Sequence, residues 1–532
     1  MGHARAQTSP TDHYAKKIAA ALAKGRIPAA TPDLDSYLDN ASDEIFAALD
    51  GFVRHIGPGG KNDPLALGYL FLVQGLLERL RFRTDRGYAE AAQRIAEFQR
   101  RTAELAAAGR IDGRALAFLA GALHQAKIAA SSELAAATAQ ADFTPAGDLP
   151  ADIGAAFDAI VDSCHGDPFL LAGSLTEAGH AMSAEARATL VVALTRSDNA
   201  GARDASVLFL LDPDPTVRRA VAGALEAVAA KLSPDSVRRL IAMRNWRPDD
   251  EQPLVDAVVR AARAGGIDCA QWKAGRAELM VASAIDGSGA QGFLIVSPAG
   301  RRKRTSSLLV KNGLHDAWSG EPESLRQIDV MLAGVANEQP MMPVSRAYLD
   351  RVVRHHLAVG LAQGVVPPAG LLQVAETLGG AAWQPARVDW REALAALIAA
   401  TPETMRTPMA VSDVLRHSEE WADLGDIAES WFEDDQEVAR QVAGTRRSQR
   451  AKTADYILQT VVTRRREKWA EHFAWTASWL REAPADLNLP WREFAILAQA
   501  LADGRDMADM TVMRDIAMRT VAVLSNVLRQ AG

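Results

Sequence analysis

Four consecutive cations, Arg301, Arg302, Lys303 and Arg304, are the densest charge cluster in this chain of 532 residues. Lys311 and His315 follow within a dozen positions. Such a run can grip phosphates or an acidic partner surface. It can also be a solvated loop that keeps strand edges from pairing with another molecule. Other arginine groups stand at Arg446, Arg447 and Arg450, and at Arg464, Arg465 and Arg466. An acidic stretch, Asp423, Asp426, Glu429, Glu433, Asp434, Asp435 and Glu437, is interleaved with Trp421, Trp431 and Phe432. Asp426, Glu429 and Glu433 could share a helix face, a spacing compatible with a divalent cation. With no histidine at a fixed spacing, the expectation is a solvated face with buried tryptophans; the patch could instead pair with Arg446, Arg447 and Arg450, or with Arg464, Arg465 and Arg466.

Other constellations carry less. Gly287, Gly289 and Gly292 are followed by Phe293-Leu294-Ile295-Val296, with no lysine and hydroxyl opening a helix. They read as a hairpin turn and not as a phosphate loop. His355 and His356 are adjacent, so on a helix they diverge by about 100° and cannot both face one ion. Trp469, Phe473, Trp475 and Trp479 crowd one segment and suggest a helix buried on two sides. Zinc-protease and nucleophile-elbow patterns are absent. No catalytic residue, metal site or cofactor is assigned from the sequence, and the balance leans away from an enzyme.

Composition sets the elements that must position these groups. Apolar residues make up 48%, aromatics 6% and charged residues 23%, with a net charge of −7. Abundant alanine and leucine with few aromatics favour helices. The acidic balance speaks against a dedicated nucleic-acid binder. Cys164 and Cys269 lie far apart and read as two reduced core thiols. Residues 1–10 show no signal-type apolar core, and the apolar run Leu65 to Leu77 contains Gln74 and reads as a buried helix. A cytoplasmic protein without a membrane span is the expectation.

Helical periodicity runs through an N-terminal region, 1–141. Its helices are expected over Asp63 to Arg81, Gly87 to Ala108, and Asp112 to Gln140 in one or two pieces. Asp142 to Pro150 reads as a linker. From 151 to 270 short helices alternate with short polar breaks. Asp212-Pro213-Asp214-Pro215-Thr216-Val217-Arg218-Arg219 is echoed by Ser233-Pro234-Asp235-Ser236-Val237-Arg238-Arg239. Each echo has a proline-acidic turn, then Val-Arg-Arg, then small apolar residues. In this the stretch 183–262 resembles the HEAT-repeat family. The resemblance implies an α-solenoid, in which stacked helix pairs bury a continuous core and leave a surface for partners. It also implies that Asp214, Arg218, Arg219, Arg238 and Arg239 serve either a ladder between repeats or a partner. The histidine-glutamate dipeptides that an iron-binding branch of helical-repeat proteins uses are absent.

Between 271 and 320 the period changes. Glu278 to Ile285, Phe293 to Val296 and Thr305 to Lys311 read as a three-stranded β meander inserted in a mainly α chain. Helices return over 321–532, among them Val344 to Leu361, Pro368 to Leu378 and Asp389 to Ala400. The stretch Thr445 to Pro484 has no internal proline or glycine and reads as one long helix or two abutting ones. The function expected is protein binding or scaffolding, with Arg301, Arg302, Lys303, Arg304 and Lys311 as the contact element. Two alternatives stand beside it. One is a nucleic-acid-associated helical-repeat protein that uses the arginine clusters. The other is an enzyme with a site where Asp286, Lys311, His315 and Asp316 converge.

Overall fold

A computed structural model describes residues 9–22, 32–56, 64–140, 161, 164–179, 182, 184–338, 340–380, 382–422 and 427–530. The expected linker at 142–150, and Asp423 and Asp426 of the acidic stretch, lie outside the described residues. The chain divides into two compact units. One holds 1–190 with 434–440 and 526–532, the other 191–433 with 441–525. Among the described residues no helix is long and apolar enough to cross a membrane.

The first unit is helical. Its helices are α1 (Pro10–Leu22), α2 (Pro32–Asn40), α3 (Ile45–His55), α4 (Pro64–Asp85), α5 (Ala89–Ala107), α6 (Gly113–Gln125), α7 (Ser132–Gln140) and α8 (Pro168–Gly179), and α9 (Ala184–Thr195) leads out of it. Helix α4 is central: α1, α2, α3, α5 and α6 all pack on it. Tyr69, Leu72, Val73, Leu76, Leu77 and Leu80 are buried along one face of it. Leu70 and Phe71 on its other sides are half-buried against the same core, so the apolar run over 65–77 forms a core helix. On α5, Ile95 and Phe98 face inward, while Arg94 and Arg101 reach Asp43 and Asp50.

The second unit opens with α10 (Ala200–Leu208), α11 (Pro215–Ala227), α12 (Pro234–Met243) and α13 (Gln252–Ala264). The start signals read in the sequence act as expected. Asp214 caps α11 by accepting from the Thr216 amide at 2.7 Å, and Ser233 caps α12 by accepting from Ser236. Each proline sits at the first turn. Helix α11 packs on α13, and α10 on α12.

The β region is larger than the three strands expected. Strands β1 (Leu279–Ser283), β2 (Gln291–Ala299), β3 (Arg302–Val310) and β4 (Leu314–Ser319) form an antiparallel meander, and β5 (Met341–Pro343) returns to pair with β1 after α14 (Leu325–Glu338). The sheet order is β4-β3-β2-β1-β5. β5 is three residues long and leans on a register set elsewhere (Val281 opposite Pro343), so no local alternation announces it. β4 contains His315, Asp316 and Ser319, which hide its strand character.

The remaining helices are α15 (Arg346–Ala362), α16 (Gly370–Leu378), α17 (Trp390–Ala399), α18 (Pro408–Arg416), α19 (Ser418–Ala422), α20 (Gln436–Val442), α21 (Arg450–Ile457), α22 (Arg466–Leu480), α23 (Trp491–Ala502) and α24 (Thr511–Gln530). Helices α15 and α16 pack against β4. Tyr348 of α15 meets Phe293 and donates to Gln291 Oε1 at 3.1 Å. The expected long helix over 445–484 is α21 and α22, joined by a π turn at 458–462 and a 3₁₀ turn at 463–465. The wide turn changes the helix phase, and Arg465, Lys468 and Trp469 all reach the buried Glu433, at 2.6, 2.9 and 2.9 Å. Trp469, Phe473 and Trp479 are fully buried, so α22 is covered on two sides as its aromatics implied.

Candidate functional site

The cations singled out in the sequence separate into three environments. Arg218 is sealed in the helical layers. It forms a bidentate pair with Glu251, both bonds at 2.8 Å, and also donates to the carbonyls of Asp212 and Pro213. Arg247 approaches the same carboxylate and is fully buried. The partner of Arg218 is thus Glu251, not the nearby Asp214, whose side chain is engaged in capping. Burial opposes the charge on Glu251, but the bonds from the two arginines hold its carboxyl below the ordinary range. Arg219 is exposed and reaches Asp250 at 3.1 Å.

Arg238 and Arg239 converge on Glu376 of α16, at 2.7 Å from Arg238 Nη2 and 2.8 Å from Arg239 Nε. Arg238 also pairs with Asp235 and lies over the Trp272 ring, 5.3 Å from its centroid. Both guanidiniums are buried and join α12 to α16.

The run 301–304 is not wholly in a loop. Ala299 pairs with Arg302 across the two-residue turn Gly300-Arg301, and Gly300 takes φ +64°. Arg302, Lys303 and Arg304 are therefore strand residues with side chains on alternating faces. Lys303 is paired with Glu278, and Arg302 donates to the Pro322 carbonyl at 3.3 Å. Arg301 and Arg302 are exposed. Lys311 is half-buried at the β3–β4 turn, where its amide donates to Gly313 O.

Other expectations resolve as follows. Asp286 accepts from the amides of Ser288 and Ala290 at 2.8 Å each, which makes the glycine cluster a hairpin turn. His315 and Asp316 are exposed on β4, so with Asp286 engaged in its own turn these residues do not enclose a reaction centre. His355 accepts from the Val388 amide at 3.1 Å and His356 from Gly313 at 3.3 Å, so the pair diverges as expected. Burial pushes His355 down to about 4 and His356 to about 3. Cys164 is buried, but Cys269 is only half-buried, which corrects its reading as a core thiol. Trp431 is fully buried and donates to the Ile285 carbonyl at 2.9 Å. Glu433 is buried, which corrects its reading as part of a solvated face, and it pairs with Arg465 and Lys468, as the alternative reading had it, while Glu429 is exposed.

The concave site lies elsewhere, in a cleft of about 690 Å³ between α15 and the segments at 274–275 and 378–384. Arg346, Asp350 and Arg354 line it from α15 at four-residue steps, which puts them on one helix face. Asp350 Oδ1 accepts from Arg346 Nε at 2.7 Å and from Trp383 Nε1 at 2.6 Å. Arg354 Nε donates to the Gln384 carbonyl at 3.1 Å, and its side chain is exposed. Trp383 is itself anchored, since Trp246 donates to its carbonyl at 2.6 Å. Across from the helix, two backbone segments meet at glycines, beside Leu378, Ala382 and Gln384. Ala274 and Gly379 form an antiparallel bridge, and Gly379 has φ +69°. A Cβ at Gly379 would lie 2.2 Å from the Gly275 nitrogen, and one at Gly275 would lie 2.4 Å from the Thr377 carbonyl oxygen. Only glycine allows this approach at both positions. The volume falls within the usual range for ligand sites.

Sequence reasoning identified the helix over 344–361 but not this row. The signal was present as Arg-x-x-x-Asp-x-x-x-Arg at 346–354, followed later by Leu378-Gly379-Gly380. Charges at four-residue spacing usually mark an ordinary solvated face, so only the wall opposite distinguishes this one.

Two family models match parts of the chain. Residues 391–525 match the Y4lR C-terminal helical domain, and residues 183–266 match the Y4lR second domain. An uncharacterized protein y4lR of Sinorhizobium fredii (strain NBRC 101917 / NGR234) is 25% identical over 370 residues, covering 68% of this chain and 70% of that protein. No solved structure matches this chain. The match at 183–266 covers the segment expected to be HEAT-like but identifies no HEAT repeat family, and the match at 391–525 covers most of the helices after the cleft.

Proposed function

We propose that this chain is a partner-binding protein whose helices over 200–264 stack as HEAT-like layers, with the β2–β3 hairpin as a contact element. The alternate packing of α11 on α13 and α10 on α12 supports the layered reading, since stacked pairs bury a continuous core in that way. The observation that carries the contact is the state of the hairpin cations. Lys303 is neutralised by Glu278, whereas Arg301, Arg302 and Arg304 have no carboxylate partner among the described residues. Cations without carboxylate partners, one on the turn and two on the strand that leaves it, suit an acidic protein surface.

The nucleic-acid reading is weaker. Of the arginines it requires, Arg465 is engaged by Glu433, and Arg466 donates to the Leu501 and Arg505 carbonyls. The test is affinity capture from the native cell with the full chain and with the double variant Arg301→Glu/Arg302→Glu. The expected outcome is loss of at least one captured protein with thermal stability unchanged. An identical set of captured proteins would refute the hairpin as a contact.

A further inference from the structure

We infer that the cleft along α15 binds an extended acidic peptide, with two of its carboxylates, four residues apart, seated on Arg346 and Arg354. This goes beyond the hairpin contact and rests on the same reading of the chain as a partner-binding protein.

Spacing is the first argument. Arg346 and Arg354 are eight helical residues apart, or about 12 Å along the axis. An extended peptide advances about 3.3 Å per residue and repeats its side every second one, so residues four apart are about 13 Å apart and face the same way. A carboxylate pair at that interval meets both guanidiniums. Pairs at intervals of two or three fall short or point away.

The second argument is what the two arginines still have to offer. Arg346 spends Nε on Asp350 and a long Nη1 bond of 3.4 Å on the Leu378 carbonyl. Its guanidinium also lies 5.9 Å from the Trp383 ring centroid, which restrains it. Arg354 spends only Nε, on Gln384. Each head is thus oriented by the protein and keeps terminal N–H groups for a carboxylate, the planar fork that favours bidentate recognition. Gly275, Gly379 and Gly380 add no side chains to the wall opposite.

The third argument discriminates among anions. Asp350 sits midway between the two arginines and remains about a third exposed. It repels a continuous polyphosphate but tolerates a peptide whose charges are discrete. The Trp383 side chain is almost fully buried, so it offers no face on which a base could stack, the feature single-stranded nucleic acid requires.

The test is selection of phage-displayed random heptapeptides on the full-length chain, followed by fluorescence anisotropy with the best labelled peptide. Enriched peptides are expected to carry Asp or Glu at positions four apart. Arg354→Glu should weaken the labelled peptide by about tenfold or more, because reversal turns an attraction into a repulsion, and Arg354→Lys should lose less than that, since it keeps the charge but not the bidentate fork. Melting curves of both variants verify folding. Enrichment without that acidic spacing, or equal binding by Arg354→Glu, would overturn the inference. So would an oligodeoxythymidylate competing at lower concentration than the unlabelled peptide, which would give the cleft to nucleic acid. The hairpin double variant should bind the peptide normally. Failure of the peptide arm with capture still hairpin-dependent removes the cleft alone, and the reverse pattern removes the hairpin alone.

Discussion

Two arginines flank one carboxylate both in the Arg218–Glu251–Arg247 cluster and in the row along α15, and these two sites differ in nearly everything except composition. Arg218, Glu251 and Arg247 have side chains no more than 4% exposed, and every bond they make is internal. Arg346 and Asp350 are 37% and 35% exposed, and Arg354 points outward with a single bond. Burial decides which role the same charges take. In the sealed cluster desolvation must be offset by mutual attraction, so the three groups stabilise a fixed arrangement and have nothing left for a ligand. In the open row water supports the charges when the cleft is empty, so a second molecule can replace it. A match of charge types in sequence therefore says little about function until the exposure of each group is known.

The sharpest way to break this contrast is to remove the central carboxylate of the sealed site. Glu251→Gln should cost about 3–5 kcal/mol in urea unfolding, because two guanidiniums remain buried without their counter-charge. A loss comparable to that of a surface variant would mean the cluster is hydrated, and the contrast would collapse. Burial of other titratable groups can be tested by pH. His472 is enclosed by Trp431, Trp469 and Phe473, and burial pushes it down to about 3. Because its folded value lies below the unfolded one near 6.5, its contribution is complete above pH 6.5 and is lost as pH falls toward 3. By pH 4 this amounts to about 3 kcal/mol. The difference in urea midpoint between pH 7 and pH 4.5 should shrink in His472→Phe, and equal acid sensitivity would contradict it.

The open row should respond more mildly. Asp350→Ala removes the acceptor of both Arg346 and Trp383, and we expect a loss of about 1 kcal/mol, since water can replace it. Tryptophan fluorescence on melting would report the change around Trp383. Smallest of all, Arg354→Glu should alter stability by no more than about 0.5 kcal/mol, as for other surface substitutions. A large destabilisation there would show that the cleft is a structural joint and not a place for a ligand.

Much of the fold was legible where local physics suffices. Proline after an acidic or hydroxyl cap starts α11 and α12, a glycine-rich turn closes the β1–β2 hairpin, and crowded aromatics mark α22 as buried on both sides. What escaped depends on distant partners. β5 is a strand only because β1 lies beside it. Arg218 chooses Glu251, 33 positions away, over the adjacent Asp214. The hairpin cations were visible as a run, but their alternation between faces needed the strand register. The cleft needed more still, since the wall facing α15 is assembled from segments 105 positions apart in sequence, joined through the bridge between Ala274 and Gly379.

The Glu376 contact has a consequence for dividing the chain. Excising residues 183–266 as an independent fragment would carry away Arg238, Arg239 and Trp246 but leave behind Glu376 and the Trp383 carbonyl that satisfy them. Such a fragment would present two cations stripped of the carboxylate they share, and an unanswered indole, on a freshly cut surface. The outline of a recurring sequence segment and the outline of a cooperative folding body are then different lines drawn on one chain. Expression trials that follow the first should yield aggregated material, where those extending past residue 384 should not.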